Sequence, residues 1–214
     1  MTTPLPTTHR DPQPVSSVLR VGCGMQHLTN RRPPFNQGAW REVRLDIDPD
    51  VAPDLMGSIT DMRAVQDGSF DVVYSSHNIE HLYAHEVPLA LREMRRVLRD
   101  DGLALITCPD LKAVAALIAQ DRLDDVAYHS PAGPISPLDI VYGHRPSLAA
   151  GNLYMAHRFG FTETTLRKAL LDSGFATVAA ISRPAALDLW ALGFKTPRTQ
   201  AQAMEAARRF LPVG

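Results

Sequence analysis

Four short groups of residues in this chain could do chemistry. The first is Gly22-Cys23-Gly24, which closes the apolar run Val18-Leu19-Arg20-Val21. Two glycines one residue apart let the backbone turn sharply and approach a bulky ligand, because neither carries a Cβ. A strand ending in G-x-G is how a nucleotide-type site begins in an open α/β sheet, so Val21 to Gly24 is read as cofactor-facing. The second group is Asp46, which follows the glycines at about 20 residues, the spacing at which a carboxylate can grip a ribose diol. The third is Asp61-Met62, an acceptor for an amino group beside a side chain that can cover a flat ring. The fourth is Ser75-Ser76-His77, directly after the apolar run Phe70 to Tyr74.

His77-Asn78-Ile79-Glu80-His81 also spells H-x-x-E-H, similar to the inverted zinc-protease motif. On a helix, His77 and His81 would share a face and bind zinc, with Glu80 as base. The motif starts at a strand end, so the expectation is no metal, with a zinc hydrolase kept as an alternative, its distant third ligand to come from Glu86, His144 or His157. A second reservoir of polar groups is the stretch 122–160, punctuated by Pro131, Gly133, Pro134, Pro137, Gly143 and Pro146. Tyr142-Gly143-His144-Arg145 and Tyr154-Met155-Ala156-His157-Arg158 bring aromatic rings, imidazoles and guanidinium groups into it. A connection of that length is usually functional, and it is read as an inserted substrate cap. Its Tyr142, Arg145, Tyr154 and Arg158, with His81, are the expected substrate contacts, the arginines suiting an anionic substrate. His77 is the leading general-base candidate, with His144 and His157 as alternatives, since imidazole titrates near neutrality.

Elements must bring these groups together. Val15 to Val21 reads as a first strand, Glu42 to Ile47 as a second, Asp54 to Met56 as a short third, Phe70 to Tyr74 as a fourth and Leu103 to Thr107 as a fifth. Between the first two strands, Met25 to Trp40 has little helical periodicity, and Arg31-Arg32-Pro33-Pro34 would break a helix. Pro88 suits the first position of a helix with Leu91, Met94, Val97 and Leu98 on one face, stopped by Asp100-Asp101-Gly102. Asp110 starts another helix. Thr162 is a good N-cap and Gly174 a good stop. Phe175 to Ile181 and Ala186 to Phe194 read as an antiparallel strand pair, and Ala201 to Leu211 as a terminal helix. The order predicts a Rossmann-like, doubly wound, mainly parallel seven-stranded sheet with an antiparallel C-terminal edge pair. Residues 15–214 then form one domain with 122–160 inserted, and the proline-rich residues 1–14 a mobile tail.

Composition fits this. Apolar residues make up 45% and charged residues 21% of 214, ordinary for a globular protein with a sizeable core. A formal net charge of −1 gives no field favouring nucleic acid or an anionic membrane. The apolar runs are strand-sized, too short to span a bilayer. No secretory leader is read at the N-terminus, and two cysteines without a C-x-x-C pair suit a reducing cytoplasm. A homodimer is compatible with all of this.

Asp67 to Asp110, D-G-S-F-D-V-V-Y-S-S-H-N-I-E-H-L followed by E-V-P-L-A-L-R-E-M-R-R-V-L-R-D-D-G-L-A-L-I-T-C-P-D, resembles the class I S-adenosylmethionine-dependent methyltransferases, in particular the small bacterial type 11 group. The resemblance extends from Val18 to about Phe175. It implies S-adenosylmethionine as cofactor and methyl transfer to an oxygen, nitrogen or carbon of a small molecule. By it, Gly22 and Gly24 border the methionine part, Asp46 binds the ribose and Ile47 lies against the adenine. Asp61 takes the adenine amino group, Met62 covers the ring, and Ser75 to His77 sit near the sulfonium and the substrate. Two positions depart from the family: Arg20, where an acidic residue is common, and Gln26, where many carry a third glycine. Arg20 could pair with the methionine carboxylate. A cofactor-binding protein without catalysis is the second reading. A nicotinamide dehydrogenase is disfavoured, because the third glycine and following helix that cradle a pyrophosphate are missing.

Overall fold

The computed structural model describes residues 15–28, 34–37 and 40–212. The expected tail 1–14 and the break at Arg31-Arg32-Pro33 lie outside the described residues. Seven strands form one sheet: β1 (Ser16–Val21), β2 (Trp40–Asp46), β3 (Leu55–Met56), β4 (Phe70–Ser76), β5 (Leu98–Pro109), β8 (Thr177–Arg183) and β9 (Asp188–Phe194). A separate hairpin, β6 (Tyr128–Ser130) and β7 (Gly133–Ile135), belongs to the insertion. The sheet order is β3-β2-β1-β4-β5-β9-β8. The first five strands run parallel, and β9 runs antiparallel to both β5 and β8. The expected C-terminal pair is therefore present, with the reversed strand one position in from the edge. The order turns back between β1 and β4, so their carboxyl ends open a crevice.

The helices are α1 (Val87–Val97), α2 (Leu111–Ile118), α3 (Pro137–Tyr142), α4 (Arg145–Ala149), α5 (Glu163–Asp172) and α6 (Gln200–Phe210). Alternate residues of each strand feed opposite faces of the sheet. Leu19, Val73, Ala104 and Ile106 pack against Leu91 and Met94 of α1 and Leu166 and Leu170 of α5. Val18, Val72, Leu105 and Leu192 pack against Phe210 of α6 and against Leu28 and Phe35. Phe35 stands where a doubly wound fold normally places a helix. Its ring lies 5.0 Å from Trp40, 5.6 Å from Tyr74 and 6.0 Å from Phe210. An aromatic cluster thus seals a face that the sequence between β1 and β2 cannot cover with a long helix.

One boundary differs from expectation. The strand expected at Leu103 to Thr107 begins at Leu98, directly after α1. Gly102 does not stop the helix. It lies within β5, next to a shift of register against β4 between Phe70 and Val72. A Cβ there would meet the carbonyl oxygens of Arg99 and Asp71 at 3.0 Å.

Two features fix the loops around the crevice. Arg96 of α1 donates to the carbonyls of Met62 and Val65 and pairs with Asp67, which pins the connection between β3 and β4. Ile135 and Ile140 of the stretch 122–160 pack on Val114 of α2 in a small separate core. Its returning end is stitched to the turn after β4: the N–H groups of Arg158 and Phe159 donate to the Glu80 carbonyl at 2.8 and 3.2 Å. Among the described residues no helix is long and apolar enough to cross a membrane.

Candidate functional site

The carboxyl ends of β1, β2 and β4 open onto a cleft of ≈ 380 Å³, a size suited to one small ligand. Gly22, Gly24, Asp46 and Ile47 line it, with His77, Asn78 and His81 from the turn after β4. Asn152, Tyr154, Met155 and Arg158 of the insertion line it from the opposite side.

The glycine loop is held from below by strand residues. Gly22 and Gly24 adopt φ +61° and +56°, the left-handed region that favours glycine. The Gly24 N–H donates to Asp46 Oδ2 at 2.9 Å, and the Asp48 N–H donates to Asp46 Oδ1 at 3.1 Å. Asp46 therefore ties together the ends of β1 and β2. Each of its oxygens accepts one of these bonds, and a carboxylate has about four acceptor positions, so capacity remains on the cleft side. Arg44, buried in β2, donates to the carbonyls of Gly24, Val51 and Ala52. Buried Arg20 donates to the Gln26 carbonyl and lies 3.7 Å from Glu42 Oε1. That arginine props the loop from beneath the sheet end.

Several expected site residues lie elsewhere. Asp61 is exposed, pairs with Arg63 and does not line the cleft. Met62 is buried in the core at 1% exposure, its N–H bonded to Glu93 Oε2 at 2.7 Å. The turn after β3 comes early, with the Asp61 N–H on the Ser58 carbonyl at 3.1 Å, so Ser58 and Ile59 reach the cleft instead. Val21 and Cys23 are buried behind the loop, and burial pushes the Cys23 thiol pKa up. Ser75 and Ser76 belong to β4 and do not line the cleft; the turn opens at His77, whose N–H still bonds the Thr107 carbonyl.

The insertion divides similarly. His144 stands at the N-cap position of α4 without a side-chain cap bond, its Nδ1 2.7 Å from the Ser147 hydroxyl. Arg145 is taken up by Asp139 at 2.8 Å and Asp124 at 3.3 Å. Tyr142 is exposed outside the cleft. Arg158 and Tyr154 do line it, the Arg158 guanidinium bonding the His81 carbonyl at 2.6 Å and lying 5.0 Å from the Tyr83 ring centroid. His157 does not line the cleft and sits beside His81, ring centroids 4.8 Å apart.

Behind the His77–His81 turn lies Glu80, 1% exposed, with His77 Nδ1 3.3 Å from its Oε1. The segment Ile79–His81 is a single 3-10 turn, and His77 has φ +48°, so His77 and His81 do not form the helical pair of a zinc protease. Burial opposes the charge on Glu80, but His77 and then His81 and His157 outweigh it and hold the carboxyl below its usual range. Burial likewise opposes protonation of His77, yet the neighbouring Glu80 and Asp188 carboxylates raise its pKa above the ordinary imidazole value. At His157 burial wins and lowers the pKa.

Sequence reasoning missed Asn78, Ser58, Arg44 and Asn152. Asn78 adjoins His77, and its Nδ2 is buried with no hydrogen-bond partner among the described residues. Arg44 had no legible signal, because the alternation of Glu42-Val43-Arg44-Leu45-Asp46 puts it on the polar face of the strand.

The protein-family model described as a methyltransferase domain matches residues 19–106. A search of curated proteins finds no match to the sequence. Among solved structures, the chain is similar to an S-adenosylmethionine-dependent methyltransferase from Thermotoga maritima, at 14% identity and a TM-score of 0.55, over 86% of this chain and 84% of that one. It is similar to the 1,6-didemethyltoxoflavin-N1-methyltransferase of Burkholderia thailandensis, solved with bound 1,6-didemethyltoxoflavin and S-adenosylhomocysteine, at 16% identity and a TM-score of 0.53, over 86% of this chain and 72% of that one. It is also similar to the CMeT domain of the citrinin polyketide synthase, at 13% identity and a TM-score of 0.54, over 86% of this chain; it spans 47% of that one. At these identities the likeness is one of fold.

Proposed function

Taking as premise a methyltransferase domain at residues 19–106 on the class I S-adenosylmethionine-dependent methyltransferase fold, we propose that this protein transfers a methyl group from S-adenosylmethionine to a small molecule. The observation that carries this is the convergence of Gly22, Gly24, Asp46, Ile47, His77 and Asn78 on one cleft at the switch point of the sheet. The residues fit the cofactor in chemistry. Nothing lies within 4 Å of where a Gly24 Cβ would be, so a ligand can approach that backbone closely. Asn78 Nδ2 is a buried donor in want of an acceptor, which a carboxylate would satisfy. Asp46 has acceptor capacity for ribose hydroxyls, and half-exposed Ile47 offers an apolar face to a base.

When bound, S-adenosylmethionine supplies a methyl group on a sulfonium, open to in-line displacement. The chain's part is orientation and proton handling. The glycine loop, fixed by Asp46 and Arg44, sets one wall. Asn152, Tyr154, Met155 and Arg158 line the other, which supports the reading of 122–160 as a substrate cap. Holding two reactants collinear can supply several kcal/mol. His77, with its side chain 50% exposed at the cleft, is the assigned acceptor of a proton from an oxygen or nitrogen nucleophile.

Calorimetry with S-adenosylhomocysteine tests this function. The expected result is 1:1 binding that Asp46→Ala weakens at least about tenfold, as loss of two hydrogen bonds to a charged group would. Absence of binding by the unsubstituted chain refutes it. His77→Ala is expected to lower kcat with cofactor affinity unchanged; an unchanged kcat removes the base assignment and leaves orientation alone.

A further inference from the structure

A second group of side chains converges where the turn after β4 meets the returning end of the insertion. One ligand-capable atom from each of Glu80, His81 and His157 lies within 4.8 Å of the other two. Neither carboxylate oxygen of Glu80 has a hydrogen-bond partner among the described residues. The contact with His77 at 3.3 Å is an ion-pair distance without hydrogen-bond alignment. His77 compensates its charge in part, but a buried carboxylate that accepts no hydrogen bond remains costly and is well placed to take up a further cation.

The two histidines are already oriented. His81 Nδ1 lies 3.1 Å from the Ala156 carbonyl oxygen, and His157 Nδ1 lies 2.7 Å from the Ile140 carbonyl oxygen. A carbonyl only accepts, so each Nδ1 carries the proton, and the lone pair of each neutral ring falls on Nε2. That is how carbonyl contacts fix the tautomer of metal-ligating histidines. Both carbonyls belong to the insertion, as does His157 itself. The Gly143–Ala156 bridge and the His157 N–H on the Tyr142 carbonyl at 3.1 Å bring His157 to the turn.

We propose that Glu80, His81 and His157 form a binding site for a divalent cation of the zinc type. Two imidazoles and one carboxylate are a donor set that such ions favour. A tetrahedral ion with bonds of about 2 Å holds its ligands about 3.4 Å apart, so a donor set spread over as much as 4.8 Å has to close on the ion as it binds. Three protein ligands leave one coordination position open. Of the three, His81 lines the cleft and Glu80 is buried behind it, so an ion held by His81 would border the cleft. A water or an acceptor hydroxyl held there would be acidified. That use rests on the methyl-transfer reading; the site itself does not.

The full-length chain, stripped with a chelator, is titrated separately with Zn(II) and Co(II), with Co(II) followed by its visible absorption. The expected result is one equivalent of metal retained through desalting, with the intense visible bands of low-coordinate cobalt. His81→Ala and His157→Ala each abolish retention, and Glu80→Gln, close in shape to the native residue, weakens it at least tenfold. His129→Ala, an exposed histidine far from the cluster in sequence, leaves it unchanged. Circular dichroism identifies which variants fold, and metal retention is compared among those. No stoichiometric retention by the unsubstituted chain, or retention that survives both histidine substitutions, overturns the site. S-adenosylhomocysteine binding measured in the same samples is a separate readout: its absence with metal retained refutes the methyl-transfer reading and leaves the site standing.

Discussion

Replacing each glycine of the first loop by alanine separates two costs that the sequence alone cannot distinguish. Gly22 and Gly24 have nearly the same backbone conformation, φ +61° and +56°. A Cβ in that region costs about 1–2 kcal/mol. Nothing lies within 4 Å of a Cβ built on Gly24, so Gly24→Ala should lose that amount alone. A Cβ on Gly22 would stand 2.6 Å from both Oδ1 and Nδ2 of Asn78, so the side chain must swing or the loop must move. Overpacking of this kind costs about 1–3 kcal/mol. Gly22→Ala should therefore cost about 2–5 kcal/mol in all. In a chain of this size each kcal/mol lowers Tm by about 2–4 °C. The assay is denaturant unfolding of the wild type, both alanine variants, Asn78→Ala and the Gly22→Ala/Asn78→Ala double variant. The double-mutant cycle should return about 1–3 kcal/mol of coupling, because removing the Asn78 side chain relieves the overlap. Equal stabilities for the two glycine variants, or no coupling, would refute the contact.

Two further outcomes follow from the insertion. Burial opposes the Asp139 charge, but Arg145 and Ser136 outweigh it and hold its carboxyl well below the usual carboxylate range. A depressed folded-state value means stability that is whole above the ordinary aspartate range near pH 4 and lost as pH falls below it. Asp139→Asn should thus cost about 1–3 kcal/mol at pH 7 and progressively less in acid, by denaturant unfolding across pH; a difference independent of pH would sink the ion-pair account. A Cβ on Gly143, at φ +101°, would overlap the Met155 carbonyl oxygen. Gly143→Ala should open the bridge to Ala156, speed amide exchange at His157 and weaken Co(II) retention, with S-adenosylhomocysteine affinity kept. Unchanged exchange at His157 would show that the bridge does not seat it.

The strands of the main sheet were legible as apolar runs, or in β2 as an alternation, bounded by turn chemistry, whereas the β6–β7 hairpin has neither pattern and was not read; the glycine loop, Asp46 and His77 were legible because they stand at strand ends. The turn after β3 was not. Whether Ser58 or Asp61 faces the cleft is decided by Met62 dropping into the core beneath Glu93, a residue of α1 far along the chain. Nothing within Gly57 to Met62 signals that. Arg145 was misjudged although its fate was encoded: Ser136-Pro137-Leu138-Asp139 is a capping box with proline at the first helical position, and such an acid is a natural partner for a nearby arginine. The Glu80–His81–His157 cluster was half visible in H-x-x-E-H. His157 was one of three residues that could supply a distant third ligand; backbone bonds from Arg158 and Phe159 to the Glu80 carbonyl decide which of them arrives, and pattern reading does not show those.

The position of β9 bears on how the molecule is made. That strand is the last to appear in the chain, yet it slots between β5 and β8, with Leu103 to Pro109 paired to Phe194 to Asp188. Until it arrives, β5 presents a row of unpaired donors and acceptors flanked by apolar side chains. Synthesis proceeds from the N-terminus, so this flank stays bare while the entire insertion and α5 emerge from the ribosome. A nascent product halted before Asp188 is therefore a ready template for pairing with another copy of itself. Shielding by a holdase chaperone would matter most in that interval.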